Sequence, residues 1–172
     1  MHISVRAKVL GGLATGKNLT GSCIYLKISR GKDTTRGLVD CGLFQGNFKN
    51  TYETNLRFPY WLDASRLDFV ILTHDHIDHI GRLPLLFKMG FRGRIFCTSP
   101  TNELLEIMLS DTAKILESEA EYLTKKANRE NGENKANGGK DKPKREKSKS
   151  KPIKIDPLYT IEDVHNALTL VK

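Results

Sequence analysis

The chain has 172 residues, with 28 lysines and arginines against 20 aspartates and glutamates, so its formal net charge at neutral pH is +8. This length suits one domain with a modest core, and no apolar run is long enough to span a bilayer. The excess charge is local, because residues 124–152 contain eleven basic and four acidic side chains, a net charge of +7. The first ten residues lack the apolar segment of a signal peptide, and three cysteines without C-x-x-C spacing suggest reduced thiols. We therefore expect a cytoplasmic protein that has no membrane anchor.

The predicted elements begin with strands and continue as alternating strands and helices. Apolar alternation and β-branched residues predict strands at 2–10, 22–29, 36–40, 67–73 and 93–97. Apolar residues at helical spacing predict helices at 79–89, 100–126 and 161–171. Ser99 and Pro100 are typical of an N-cap followed by proline, and Thr160 with Asp163 approximates a capping box. This order of elements favours an α/β sandwich.

Residues 127–152 are almost without apolar side chains and are rich in Asn, Gly, Lys, Ser and Pro. They cannot bury enough surface to offset the entropy of ordering, so we predict a disordered basic insertion. It separates residues 1–126 from a returning segment of the same domain at 153–172. Two interpretations stay open, a basic arm that binds RNA non-specifically through phosphates and a tolerated solvated loop. In the first, the nucleic-acid-binding residues are Lys142, Lys144, Arg145, Lys147, Lys149 and Lys151.

The richest chemistry lies in the run His-Asp-His-Ile-Asp-His at residues 74–79. Neutral imidazole and carboxylate groups are ligands for zinc, iron and manganese. In an extended segment His74 and His76 point to one face and can bind one metal, while Asp78 and His79, past a turn, can reach a second. The run follows an apolar strand and precedes a helix, which is where α/β sheets place their sites. The alternative, a polar loop that holds histidines by chance, rarely produces this spacing.

The pattern H-x-H-x-D-H after an apolar strand resembles the metallo-β-lactamase superfamily. Other stretches are similar to its β-CASP branch of RNA-processing nucleases, which includes ribonuclease J and the nuclease subunit of the cleavage and polyadenylation factor. These stretches are Gly21 to Cys23, Leu38 to Gly46, Gly81 to Pro84, Ser110 to Ile115 and Glu119 to Leu123. The similarity covers about residues 1–125 and resumes at Pro157 to Thr160.

The resemblance implies the amino-terminal half of an αββα sandwich and metal-assisted hydrolysis of a phosphodiester, with RNA as the partner. By resemblance, His74 and His76 hold one of two zinc or manganese ions, and Asp78 and His79 hold the other. Asp78 would also act in catalysis by orienting the attacking water. Asp40 would lie beneath the metals and orient their ligands, although a purely structural hydrogen-bond role is the alternative. The family pattern leaves the position of Asp75 variable, so we expect a bystander there.

The family also needs a further histidine, a bridging aspartate and an inserted β-CASP domain. After His79 the sequence has one histidine, His165, in a predicted amphipathic helix. We therefore expect an incomplete enzyme with little activity alone, completed by a missing carboxy-terminal half or by a homo-oligomer. Two other interpretations stay open, another hydrolase of the superfamily that cleaves a thioester or lactone, and an inactive fragment that serves as an interaction module.

Overall fold

The computed structural model describes residues 2–12, 19–136 and 152–172. Its sheet has five strands in the order β1-β2-β3-β4-β5. They are β1 (Ile3–Val9), β2 (Ile24–Arg30), β3 (Asp33–Val39), β4 (Phe69–Ile71) and β5 (Arg94–Phe96). The first three strands pair antiparallel and β3, β4 and β5 pair parallel, so the sheet consists of an antiparallel part joined to a parallel part.

Helices follow the strands and pack on one face of the sheet. They are α1 (Phe48–Leu56), α2 (Ile77–Ile80), α3 (Leu83–Lys88), α4 (Ser99–Ala136) and α5 (Ile161–Leu168). The last of these packs against both α3 and α4. It begins with the predicted capping box, because the Thr160 hydroxyl accepts from the Asp163 backbone N–H and the Asp163 carboxylate accepts from that of Thr160. After α5 the chain returns to the sheet, where Val171 makes a parallel bridge to Ile95.

The core lies between the parallel strands and the helices. Leu38, Val70 and Ile95 occupy neighbouring positions on β3, β4 and β5, and all three side chains are fully buried. On the opposite face of the sheet, Ile71 and Phe96 remain exposed. A mixed sheet with helices on one face is the arrangement expected for half of an αββα sandwich, and the predicted α/β fold class is confirmed.

The helix predicted at 79–89 is wrong in one respect, because it consists of two short helices, α2 and α3. The break falls where the Arg82 backbone N–H donates to the carbonyl of Cys41, at 2.8 Å, and so leaves the helical pattern. Pro84 then occupies the first turn of α3, where its missing N–H costs little. A tertiary hydrogen bond therefore overrides the local helical periodicity here.

The helix predicted at 100–126 is too short, because α4 continues through residues 127–136, which lie within the predicted insertion. The extension is anchored at Asn128, whose side-chain amide donates to the carbonyl of Ile153 and accepts from its N–H. One turn earlier, the Thr124 hydroxyl accepts from the N–H of Ile155. The segment that follows residue 152 is thus hydrogen-bonded to α4 through Ile153 and Ile155.

The rest of the predicted insertion, residues 137–151, lies outside the described residues. It includes all six predicted RNA-binding side chains, namely Lys142, Lys144, Arg145, Lys147, Lys149 and Lys151. Their role and the three-part division of the chain stay predictions. Across residues 2–12, 19–136 and 152–172, no helix is both long and apolar enough to cross a membrane.

Candidate metal site

The run at residues 74–79 begins in the turn after the carboxyl end of β4 and continues into the first residues of α2. Neighbouring backbone holds it from two sides. The N–H of Ser22 donates to the carbonyl of Asp78, and the N–H of Cys41 donates to that of His79, both at 2.7 Å. Gly42 lies so close to the Asp78 carbonyl that a Cβ atom there would overlap it, so no other residue fits. The position of the turn is therefore set by β2 and β3 as well as by its own sequence.

A buried aspartate lies beneath the turn, as the sequence predicts. Asp40 is 3% exposed and follows β3 with φ of +60°, a left-handed conformation that aspartate tolerates better than most residues. Its carboxylate accepts from the Ser22 hydroxyl at 3.1 Å, from the Thr73 N–H at 2.9 Å and from the Thr73 hydroxyl at 2.9 Å. It also lies 2.8 Å from Nδ1 of His79. These bonds compensate for the burial of the charge.

The same network determines which ring nitrogens carry protons. An ionised carboxylate only accepts, so His79 donates from Nδ1 to Asp40 and keeps a free lone pair on Nε2. The Thr73 hydroxyl also donates to Asp40, which leaves its oxygen as the acceptor for Nδ1 of His74, 2.9 Å away. Both imidazoles therefore present Nε2 to a ligand, which is the orientation that carboxylate partners impose on metal-binding histidines.

The four predicted metal ligands lie together at this edge of the sheet. The ring centroid of His74 is 4.6 Å from that of His76 and 3.9 Å from that of His79. A carboxylate oxygen of Asp78 lies 3.7 Å from Nε2 of His79. The donor chemistry fits zinc, since three imidazoles and a carboxylate are a normal hydrolase ligand set.

Proximity of the donors is not yet a coordination sphere. Within the described ranges, no group of three or more His, Cys, Asp or Glu side chains is arranged to hold a metal ion. The imidazole rings of the turn lie in contact with one another, edge-on between His74 and His76 and tilted between His74 and His79. Donor type and proximity are thus present, and the ligand roles of these residues stay predictions.

Two cysteines are buried beside the turn, consistent with the small apolar role that free cysteine usually has. A hydrogen bond from the Cys41 thiol lowers the pKa of Cys23. Burial raises the pKa of Cys41 well above its usual value. Cys41 therefore stays protonated and donates to its neighbour.

A buried arginine behind the turn makes hydrogen bonds and ring contacts that the sequence analysis did not predict. Arg82 is 2% exposed, and its Nε donates to the carbonyl of Gly42 at 2.6 Å. Its Nη1 donates to the carbonyl of Arg57 at 3.3 Å. The guanidinium also lies over the rings of Phe44 and Phe58, with its carbon 4.9 and 4.4 Å from their centroids. This side chain ties the loop after β3 to the start of α3.

Sequence analysis also missed Thr73 and Ser22, which complete the network around Asp40. The available signal was weak, because a hydroxyl residue at a strand end is common and its partner lies far along the chain. A groove of about 420 Å³ borders the turn at Ile77 and is lined mainly by apolar side chains from the loop after β3 and from α4. It lies next to the histidines and contains none of them.

Residues 35–127, more than half of the chain, match the family described as the beta-lactamase superfamily domain. Over 101 residues the chain is 41% identical to Ribonuclease TTHA0252 of Thermus thermophilus. That alignment covers 59% of this chain and 22% of the relative. It is 35% identical over 119 residues to Transcription termination factor FttA of Methanosarcina mazei, and the alignment covers 69% of this chain and 17% of that protein. Cleavage and polyadenylation specificity factor subunit 3-I of Arabidopsis thaliana is 35% identical over 106 residues, and the alignment covers 60% of this chain and 14% of that protein. The chain thus spans about a fifth or less of the length of these curated relatives.

Proposed function

We propose a function from two findings. The chain belongs to the beta-lactamase superfamily, and its resemblance to the β-CASP nucleases is confirmed. The proposed function is hydrolysis of RNA phosphodiesters, with this chain supplying the first metal-binding turn. One relative is named a ribonuclease and another a cleavage and polyadenylation subunit, which favours RNA as the substrate class. Since the chain spans about a fifth of those relatives, the activity is proposed for the protein at their length.

The observation that carries the proposal is the network from Asp40 to the two histidines. A structural role for Asp40 alone would require only hydrogen-bond donors, and Ser22 and Thr73 already provide them. The additional bonds, directly to His79 and through Thr73 to His74, fix two imidazoles in the tautomer that suits metal binding.

The proposed roles follow from these positions. His74 and His76 would hold one divalent cation, zinc or manganese, and Asp78 and His79 would hold a second. Such cations supply Lewis-acid activation of a phosphoryl oxygen and of water. The Asp78 carboxylate accepts a hydrogen bond from the attacking water and orients it, while Asp40 keeps the His79 ring in place.

A zinc titration of the purified chain tests the ligand assignment. We expect weak zinc binding by calorimetry, because part of the family's ligand set is absent, and we expect the double variant His74→Ala/His76→Ala to lose it. His165→Ala is the matched control, since that imidazole is 58% exposed on α5, away from the turn. Binding that survives the double variant, or that depends on His165, would refute the assignment.

A second pair of variants tests the network. Asp40→Asn keeps the size of the side chain and its tolerance of positive φ, and removes the charge that orients the histidines. We expect zinc affinity to fall by about 10- to 100-fold, the usual effect of losing such a partner. Asp75→Asn, the same change at the expected bystander, should leave affinity unchanged. In the protein at the length of its relatives, Asp78→Ala should abolish RNA cleavage with the fold intact, and near-normal turnover would contradict the proposed role.

A further inference from the structure

A row of basic side chains crosses the antiparallel part of the sheet, away from the metal-binding turn. Strand pairing sets Arg6 directly opposite Lys27, and Lys27 directly opposite Arg36. Residues opposite one another share a face and have Cβ atoms about 5 Å apart, so the row is about 10 Å long. We call these three residues the cationic row. Lys8 lies on the same face, two positions along β1.

The charge of this face is one-sided. The nine positions that β1, β2 and β3 present here include four basic residues and no acidic one. Two acidic residues border the row at Arg36, and Asp63 lines the same small cavity as that arginine, but neither carboxylate forms an ion pair with the row. The Asp68 carboxylate accepts from the backbone N–H of Arg36 at 2.7 Å, and the Asp63 carboxylate accepts from Ser65. In the part of the chain that the structure describes, no residue of the cationic row forms an ion pair.

The row is unfavourable for the fold by itself. Like charges placed directly opposite on neighbouring strands repel each other and destabilise the sheet. The rest of the chain does not share this bias, because outside residues 124–152 its net charge is only +1, from 17 basic and 16 acidic residues. Such a concentration of cations is the electrostatic complement of an anionic partner.

Aromatic rings lie beside the row. Nζ of Lys8 is 4.5 Å from the ring centroid of Trp61, and the ring of Tyr25 meets Trp61 edge-on at 5.1 Å. Tyr60, the preceding residue, is completely exposed. Basic side chains that follow a phosphate backbone, together with exposed aromatic rings that can stack on bases, are the chemistry by which proteins bind single-stranded nucleic acid.

We propose that the cationic row and Trp61 form a contact surface for single-stranded RNA, separate from the metal-binding turn. Arg36 lies on β3 and Asp40 follows the end of that strand four residues later, so Arg36 is about 13 Å from the network beneath the turn. An RNA strand can therefore occupy both. The inference rests on the proposed function only in its choice of RNA as the anion, and its test does not depend on metal or cleavage.

The test measures binding of the whole chain to a fluorescein-labelled oligouridylate by anisotropy, in EDTA, over a range of salt concentrations. The triple variant Arg6→Gln/Lys27→Gln/Arg36→Gln removes the cationic row. Each lost phosphate contact on a single strand lowers the salt slope by about 0.7, so we expect the slope to fall by about 2. The control Lys114→Gln/Lys126→Gln/Arg129→Gln removes the same charge from exposed positions of α4 and should leave the slope unchanged. Equal slopes for the two variants would overturn the proposal.

The position of the RNA is measured independently by fluorescence. Trp61 is the sole tryptophan, so its emission reports on this surface alone. We expect RNA to quench Trp61 with the same midpoint as the anisotropy change, and binding without quenching would place the RNA elsewhere and overturn the proposal. Polyglutamate should compete poorly. If it displaces the RNA as well as unlabelled oligouridylate does, the surface recognises acidic polypeptides instead.

Two further measurements separate this proposal from the zinc-ligand assignment and from a purely structural role of the cationic row. The variant His74→Ala/His76→Ala should bind the oligouridylate as the unmodified chain does, so a failed zinc titration leaves this test intact. Loss of the row should maintain or raise the melting temperature, because it relieves repulsion. A lower melting temperature with an unchanged salt slope would identify the row as structural and refute the RNA-binding role.

Discussion

The parallel and antiparallel parts of the sheet differ in how they are covered. The strands β4 and β5 have three residues each, yet Val70 and Ile95 on them are fully buried. The strand β1 has seven residues, and on the same face of the sheet its Arg6 and Lys8 are exposed, while Val5 and Val9 on the opposite face are 62% and 52% exposed. Strand length therefore does not determine burial here. Parallel strands require long crossover connections, and the helices in those connections cover the sheet, whereas a hairpin needs only a short turn and brings no cover.

The chemistry divides along the same line. The turn proposed to bind metal lies in the covered part, where backbone bonds from Ser22 and Cys41 fix its position. The cationic row lies on the open part, where long basic side chains can reach a partner. Precise placement is needed for metal ligands and much less for phosphate contacts, so each proposed function would occupy the part of the sheet that suits it.

The largest expected effect follows removal of the buried arginine. Arg82→Ala eliminates two hydrogen bonds from a charged group and two ring contacts, so we expect a loss of about 3–5 kcal/mol in the free energy of unfolding. Arg57→Ala is the control, because that side chain is exposed and pairs only with Glu53 at i,i+4, which contributes about 0.5 kcal/mol or less. Urea denaturation followed by circular dichroism measures both. Similar losses for the two variants would contradict the view that the covered part holds the stability.

A matched valine pair tests the comparison with one substitution on two strands. Val70→Ala removes two methyl groups from a fully buried position of β4, and transfer and cavity effects together predict a loss of about 1.5–3 kcal/mol. Val5→Ala makes the same change on β1, on the opposite face of the sheet, where 62% of the residue is exposed, and should change the free energy of unfolding by about 0.5 kcal/mol or less. Denaturant midpoints at constant slope give both values. A large loss at Val5 would show that the outer face of β1 is covered in solution.

Local features of the chain were predictable from sequence, and the reasons are short-range. The capping box at Thr160 depends on residues three apart, and the start of α4 at Ser99 depends on a Ser-Pro pair. The turn at residues 74–79 follows a strand and precedes a helix, as predicted. The α/β class follows from the order of such elements.

The features that were missed depend on contacts between distant residues. The break between α2 and α3 follows from a bond between Arg82 and Cys41, and the extension of α4 from a bond between Asn128 and Ile153. The helix α1 was not predicted, because its sequence FKNTYETNL is mostly polar and lacks a continuous apolar stripe. The link between Asp40 and Thr73 joins residues 33 positions apart, which no local pattern reveals.

The smallest expected effect concerns two tyrosine hydroxyls, and it tests how completely the covered part excludes water. The Tyr159 hydroxyl is fully buried and has no hydrogen-bond partner among residues 2–12, 19–136 and 152–172, and burial raises the pKa of this group. Tyr159→Phe removes an unsatisfied polar group and should increase the free energy of unfolding by about 1 kcal/mol. Tyr52→Phe is the counterpart, since its hydroxyl donates to the carbonyl of Asp156 at 2.8 Å and its loss should cost about 0.5–1.5 kcal/mol. Thermal unfolding of both variants measures the difference in sign. If Tyr159→Phe destabilises as much as Tyr52→Phe, water or another group reaches the Tyr159 hydroxyl, and the covered part is less sealed than its burial indicates.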